Sequence, residues 1–203
     1  MKSSDIHDSI LIIGKAIELS KESYEENHKR NQRIELLNNN TICYLKKGRV
    51  LVYRNDNNLV TLSLNAPLIM GLTQMHNDIK YHYLRCETNC QMYMIKNHSA
   101  TELFNHKNLW KHAFDILTWH LDLYFHRDLM MIHPNIRNII NEHLKHIWSM
   151  PPEVRSQTSV YSFIISRNHI SRSAVHKVIQ EMTDVGKVRI EKGKLVFYKE
   201  VGP

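Results

Sequence analysis

The spacing of apolar and polar positions changes period along the chain. From residue 6, Ile10, Ile13, Ala16, Ile17 and Leu19 recur at helical spacing, and a highly charged run follows from Lys21 to Arg33. Together they predict a helix over residues 6 to 37, closed by "LNNNT". Between Ile42 and Ile95 the pattern becomes short and strand-like. "TICYLKKGRVLVYR" has Gly48 at a turn, "NDNN" at 55–58 makes a second turn before "LVTLSL", and "NAPLIMGL" holds the Pro and Gly of another. "YHYLRCETNCQMYMI" predicts two further strands, broken near Glu87–Asn89. Short strands without intervening helices predict a compact antiparallel sandwich or roll.

From Ser99 the period is helical again, to about His133. Leu109, Ile116, Leu123 and Met130 recur every seven residues, with Ala113, Trp119 and His120 at intermediate positions. Such a seam needs a partner helix, so a dimerisation helix is expected over about 105–133. A long core helix packed on its own domain has the same pattern. Pro134 breaks the chain and marks the expected boundary between domains 1–133 and 134–203. Beyond it "NIRNIINEHLKHIWSM" is amphipathic, and the short helix "SVYSFIISR" precedes "ISRSAVHKVIQEM". In this last segment Ser171 is placed to cap the N-terminus. Ala174, Val175, Val178, Ile179 and Met182 make an inward face, and Arg172, Ser173, His176, Lys177 and Gln180 lie opposite without a carboxylate among them. "GKVRIEKGKLVFYK" then alternates as a hairpin around Lys192–Gly193. Helix, helix, turn, helix and basic hairpin describe a winged helix-turn-helix, which lays that polar face in the DNA major groove. Arg189, Lys192 and Lys194 on the wing would meet phosphates, which adds affinity without sequence information.

Charge supports that placement. The net charge is +7, and residues 134–203 carry 11 Lys/Arg against 6 Asp/Glu, while residues 1–133 carry 16 against 14. The excess at the C-terminal end points to double-stranded DNA as partner. Three cysteines make no disulfide framework, which suits a reducing, cytoplasmic compartment. They are also one short of the four that hold an iron–sulfur cluster. Cys86 and Cys90 are a candidate redox pair, with small buried hydrophobes as the alternative. No apolar run approaches a membrane span. The fourteen histidines show no ligand spacing, no catalytic triad can be assembled, and no Gly-rich loop cradles a phosphate. Neither a metal, another cofactor nor an enzyme is expected.

From about residue 41 to 198 the chain resembles the CRP/FNR transcription regulators. "ISRSAVHKVIQEM" with a hairpin ending "GKLVFY" is similar to that family's recognition helix and wing, and "YLKKGRVLVYR" and "LRCETNCQMYMI" to strands of its nucleotide-binding roll. "LWKHAFDILTW", "SRSAV" and "KGKLV" resemble a subgroup described as inhibitors of hydrogen peroxide resistance. The resemblance implies an α+β fold: an antiparallel β-roll like a cyclic-nucleotide-binding domain, a long dimerisation helix, and a C-terminal winged helix-turn-helix. It implies a homodimer, with RNA polymerase as a further partner, and places Arg172 and Lys177 at positions that contact bases or phosphates. A protein-interaction module on the same roll and helix is the alternative. The sequence departs from the family where the cyclic nucleotide would bind. The family's Gly-Glu-Leu and Arg-Ser become Gly71–Leu72 and Lys80–Tyr81, so a degenerate, cAMP-independent site is expected. The turn before the recognition helix lacks the family's glycine. His169 stands in its place beside Asn168, and both residue types tolerate left-handed backbone.

Overall fold

The computed structural model describes residues 3–36, 40–75, 81–131, 133 and 135–199. Lys80 and Pro134 lie outside them, and so does the side chain of Met130, whose backbone is helical. Contacts divide the chain into two units, Met1–Phe125 and His126–Pro203.

The first unit starts with α1 (Ser3–Glu18), whose Ile6, Ile10, Ile13 and Ile17 form one buried stripe. The helix ends there and does not run on to residue 37. The charged run after it supplies β1 (Ser23–His28) and β2 (Arg33–Ile34). In β1, Tyr24 pairs with Met94 and Glu26 with Met92 of β8 (Cys90–Lys96). Backbone pairing to the neighbouring strand outweighs the local pattern here. β1 is the edge of its sheet, where charged side chains stay in water and discourage further pairing.

Two antiparallel four-stranded sheets follow, ordered β1-β8-β3-β6 and β2-β7-β4-β5. The remaining strands are β3 (Thr41–Lys47), β4 (Arg49–Arg54), β5 (Val60–Asn65), β6 (Leu68–Met70) and β7 (His82–Cys86). β3 and β4 flank Gly48 but belong to different sheets. Gly48 has φ +106°, and a Cβ there would lie 2.5 Å from the Asn89 carbonyl oxygen, so only glycine turns this corner. Cys43, Leu45, Met92 and Met94 of one sheet meet Val50, Val52, Leu64 and Leu84 of the other to fill the roll. The opposite face of β3, Ile42 and Tyr44, packs under α1 together with Ile95. Burial on both faces explains why β3 reads as a nearly continuous apolar run.

The helix expected from Ser99 to His133 is two helices, α2 (Asn97–His106) and α3 (Trp110–Met131). Asn108 between them is left-handed, with φ 53°, which an α-helix does not accommodate. The break redirects the seam. Leu109, Ala113 and Ile116 are buried beside α1 and Phe104 in their own chain, so they are unavailable to a partner. Trp119 packs against both apolar cores and Leu123 against the roll interior. His120 faces inward as well, its Nε2 sealed from solvent. What α3 leaves in water is a different stripe: Phe114, Leu121, Phe125 and Leu129, each more than half exposed.

The second unit holds α4 (Ile136–Ser149), α5 (Pro152–Gln157), α6 (Val160–Ile165), α7 (Arg172–Asp184) and the hairpin β9 (Val188–Glu191) and β10 (Lys194–Tyr198). Asn135 caps α4 by accepting from the Asn138 N–H at 2.9 Å. Pro152 opens α5, since proline fits the first helical turn without losing a bond. Ile140, Leu144, Ile147, Val160, Ile164, Val175, Ile179, Met182, Val188 and Leu195 form one core under α7 and the hairpin.

Candidate nucleic-acid interface

The capping expected of Ser171 is present: its Oγ accepts from the Ala174 N–H at 3.2 Å. Val175, Ile179 and Met182 are buried, which turns Arg172, Ser173, His176, Lys177 and Gln180 outward. These five do not stand alike. Arg172 and Lys177 are exposed and make no hydrogen bond or ion pair with any described residue. The His176 ring stacks on Tyr161 of α6 with centroids 4.6 Å apart, which holds it flat on its own fold. The Gln180 amide donates to Asp184 at 2.7 Å, and Glu181 pairs with Arg137 at 2.7 Å. Positive charge without a partner is therefore concentrated in the first half of the helix.

The turn ahead of α7 is built differently from expectation. Neither Asn168 nor His169 has a positive φ. Asn168 is buried and works through its side chain. Its Nδ2 donates to the Ile164 carbonyl at 2.7 Å and bonds His143 Nε2 at 2.8 Å. That ties α4, the end of α6 and the start of α7 to one amide. Burial lowers the His143 pKa to about 4, so the imidazole stays neutral and can accept that bond. His143 and the side-chain role of Asn168 are not legible in the sequence. A histidine on the apolar side of α4 was the available signal.

The wing turns at Lys192 and Gly193, with φ of 48° and 77°. Two positive values suit the tight hairpin turn that matches strand twist. Gly193 C=O accepts from the Val160 N–H at 2.9 Å, which holds the tip against the start of α6. Lys194 Nζ donates to the Gln157 carbonyl at 2.6 Å, and Arg189 pairs with Glu191 at 3.4 Å. Among the three wing cations Lys192 alone is without such a partner in the described residues.

In the first unit, Leu72 is buried among α1-facing residues where the resembled family has a carboxylate, and Tyr81 is 56% exposed. Gly71 lines a cavity inside the roll, and Lys80 falls outside the described residues. All three cysteines are buried and free. Burial, and then the neighbouring Cys90, push the Cys86 pKa up to about 12, and burial raises Cys43 as well. Burial so placed disfavours the Cys86 thiolate, while its side-chain hydrogen bond with Cys90 keeps the two sulfurs adjacent. Among the described residues no His, Cys, Asp or Glu group could hold a metal, and no helix is long and apolar enough to cross a membrane.

Comparison with known proteins agrees with this geometry. Residues 137–201 match the family described as winged helix-turn-helix DNA binding. Over 162 residues the chain is 32% identical to the inhibitor of hydrogen peroxide resistance of Escherichia coli K12, covering 79% of this chain and 77% of that one. It is 28% identical over 160 residues to the Salmonella typhimurium protein of the same name, covering 78% and 76%. Among solved structures the fold is similar to the c-di-GMP-responsive global regulator of Xanthomonas campestris, with a TM-score of 0.71 at 14% identity over 96% of this chain and 100% of that one. A CRP/FNR-family regulator from Thermus thermophilus gives a TM-score of 0.60 at 14% identity over 85% and 92%. The chain thus belongs to the family of the inhibitor of hydrogen peroxide resistance, with the fold of CRP/FNR-type regulators and a C-terminal winged helix-turn-helix.

Proposed function

We propose that the chain is a homodimeric, sequence-specific regulator that reads the major groove through α7 without a cyclic nucleotide. The observation that carries this is the pair Arg172 and Lys177, exposed and without a partner among the described residues, on a helix that is capped and tied at its base. Arg172 supplies the fork for a guanine edge, and Lys177 and Lys192 supply phosphate contacts. Lys194 and Arg189 have partners of their own and matter less. Dimerisation uses the exposed stripe Phe114, Leu121, Phe125 and Leu129, which a second copy of α3 would cover. A symmetric dimer meets half-sites about one helical turn apart.

Nucleotide independence is supported by Leu72, an apolar and buried residue where the resembled family has a carboxylate for the ribose. The relatives' name supports a role in the cytoplasmic response to peroxide. With thiols this inert, that role runs through the genes controlled and not through cysteine chemistry.

The test is a salt titration of variants on specific and scrambled duplexes. Arg172→Ala should cost about 1–3 kcal/mol at the cognate site and flatten preference at one base. Lys192→Ala should weaken all sequences about equally and lower the salt slope by roughly one. A folded Arg172→Ala variant with unchanged affinity for both duplexes would refute groove reading and favour a protein-interaction module.

A further inference from the structure

We propose, on the reading above that α7 lies in the major groove, that His176 is a second base-reading residue, set in place by the Tyr161 ring and aimed at the N7 edge of a purine. The His176 ring stacks on Tyr161 of α6 with centroids 4.6 Å apart and planes 19° from parallel. His176 is nevertheless an exposed residue, so the stack covers one face of the ring and leaves the rest in water. Neither ring nitrogen has a hydrogen-bond partner among the described residues, and neither does the Tyr161 hydroxyl.

The stack makes His176 a different kind of group from its neighbours on the helix. Arg172 and Lys177 end in long chains that become ordered only when they meet DNA, whereas a ring held against Tyr161 has already lost that freedom. Tyr161 is itself fixed. Its side chain packs on the core of the C-terminal unit, and the Val160 N–H just before it donates to the Gly193 carbonyl at 2.9 Å. A nearby carboxylate would compete for the imidazole N–H. Residues 171–180 contain none, and beyond them Glu181 pairs with Arg137 and Asp184 accepts from Gln180, each at 2.7 Å. The ring nitrogens are left to a partner from outside the fold.

Spacing puts that partner in the groove. Arg172 and His176 are four residues apart on α7, so they share one face and lie about 6 Å apart along its axis, or roughly two base-pair steps. Each edge of an imidazole presents at most one N–H donor. Of the acceptors that bases show in the major groove, N7 is common to adenine and guanine, while thymine O4 stands beside the C5-methyl. A fixed ring edge with one donor therefore selects a purine without telling the two kinds apart. The Arg172 fork uses O6 and N7 together and selects guanine alone. The two residues read different features at different steps.

The probe is a duplex that the protein selects from a random-sequence pool, resynthesised with 7-deazaguanine or 7-deazaadenine at one purine at a time. These bases keep their pairing and lack the N7 acceptor. In the parent, an Arg172 position and a His176 position should each lose at least about fivefold in affinity, the value of one hydrogen bond. His176→Phe keeps a ring for the stack and removes the N–H, so its position should become indifferent to the substitution while the Arg172 position keeps its loss. Tyr161→Phe keeps the stack and should retain both. Tyr161→Leu frees the imidazole and should shrink the loss at the His176 position to about twofold. Unfolding midpoints report whether each variant is folded. A stack that only stabilises the fold lowers those midpoints and changes no base position, which overturns the proposal. A folded His176→Phe that keeps every sensitive position overturns it as well, and so does a parent whose sensitive positions are all abolished by Arg172→Ala. A parent with no sensitive purine, or a pool that yields no enriched sequence, overturns the groove reading itself.

Discussion

Asn168 sits in the turn where the resembled family has a glycine, beside His169 at the glycine's own place, and it holds that turn with a side chain. Its amide bonds the Ile164 carbonyl and His143, so Asn168→Ala leaves His143 Nε2 buried and unsatisfied, while the Ile164 carbonyl keeps the Arg167 N–H at 3.2 Å. A loss of about 1–3 kcal/mol is expected, read as a lower unfolding midpoint of the C-terminal unit. Asn168→Gly should do no better, because the turn has no positive φ for glycine to relieve. His120 and His143 carry a pH signature. Burial holds each near pKa 4, against 6.5 for an ordinary histidine. The unfolded chain therefore takes up these protons first as pH falls. Stability is full above about pH 6.5 and declines towards pH 4, by about 3 kcal/mol for each histidine at the low end. His143→Gln should flatten its share of that slope in urea unfolding series between pH 7 and 4. The cap at Ser171 was legible because both partners lie three residues apart. The Asn168–His143 bond spans 25 residues and was not.

At the scale of elements, α3 carries two apolar stripes on one helical period. Periodicity alone identified the stripe through Leu109 and Ile116 as a dimer seam, and the fold assigns that stripe to the chain's own core. Substitutions on the two stripes should separate cleanly. Ile116→Asp buries an unpaired carboxylate against α1, at a cost of about 3–5 kcal/mol, and should unfold the first unit. Leu121→Asp introduces charge where the side chain is already 52% exposed. It should fold normally and lower the molar mass seen by light scattering to that of a monomer. The strands of the roll were legible because each is bounded by a turn residue. β1 was not, since "SYEENH" has no apolar alternation and becomes a strand only by pairing with β8.

Over the whole molecule, the excess of positive charge in residues 134–203 coincides with the unit that matches winged helix-turn-helix domains. DNA affinity should accordingly fall steeply with salt, each phosphate contact contributing about 0.9 to the logarithmic slope. The thiols make an opposite prediction. All three cysteines are buried, with Cys86 raised to about 12. Brief peroxide treatment of the native protein should leave three titratable thiols after unfolding, and a count of one would show that a disulfide had formed.

The order of roll, long helix, paired helices and basic hairpin was determined by the sequence itself, because period, turn residues and charge are local properties. So was the face of α7 that holds Arg172 and Lys177, since its opposite side is apolar at helical spacing. Tertiary structure alone decided which stripe of α3 stays in water, which wing lysine is without a partner among the described residues, and that His120 is turned inward. Each depends on what a distant segment brings alongside: α1 against Ile116, the Gln157 carbonyl against Lys194, α3 against the roll. Burial is a property of pairs of surfaces, and no single stretch of chain contains both.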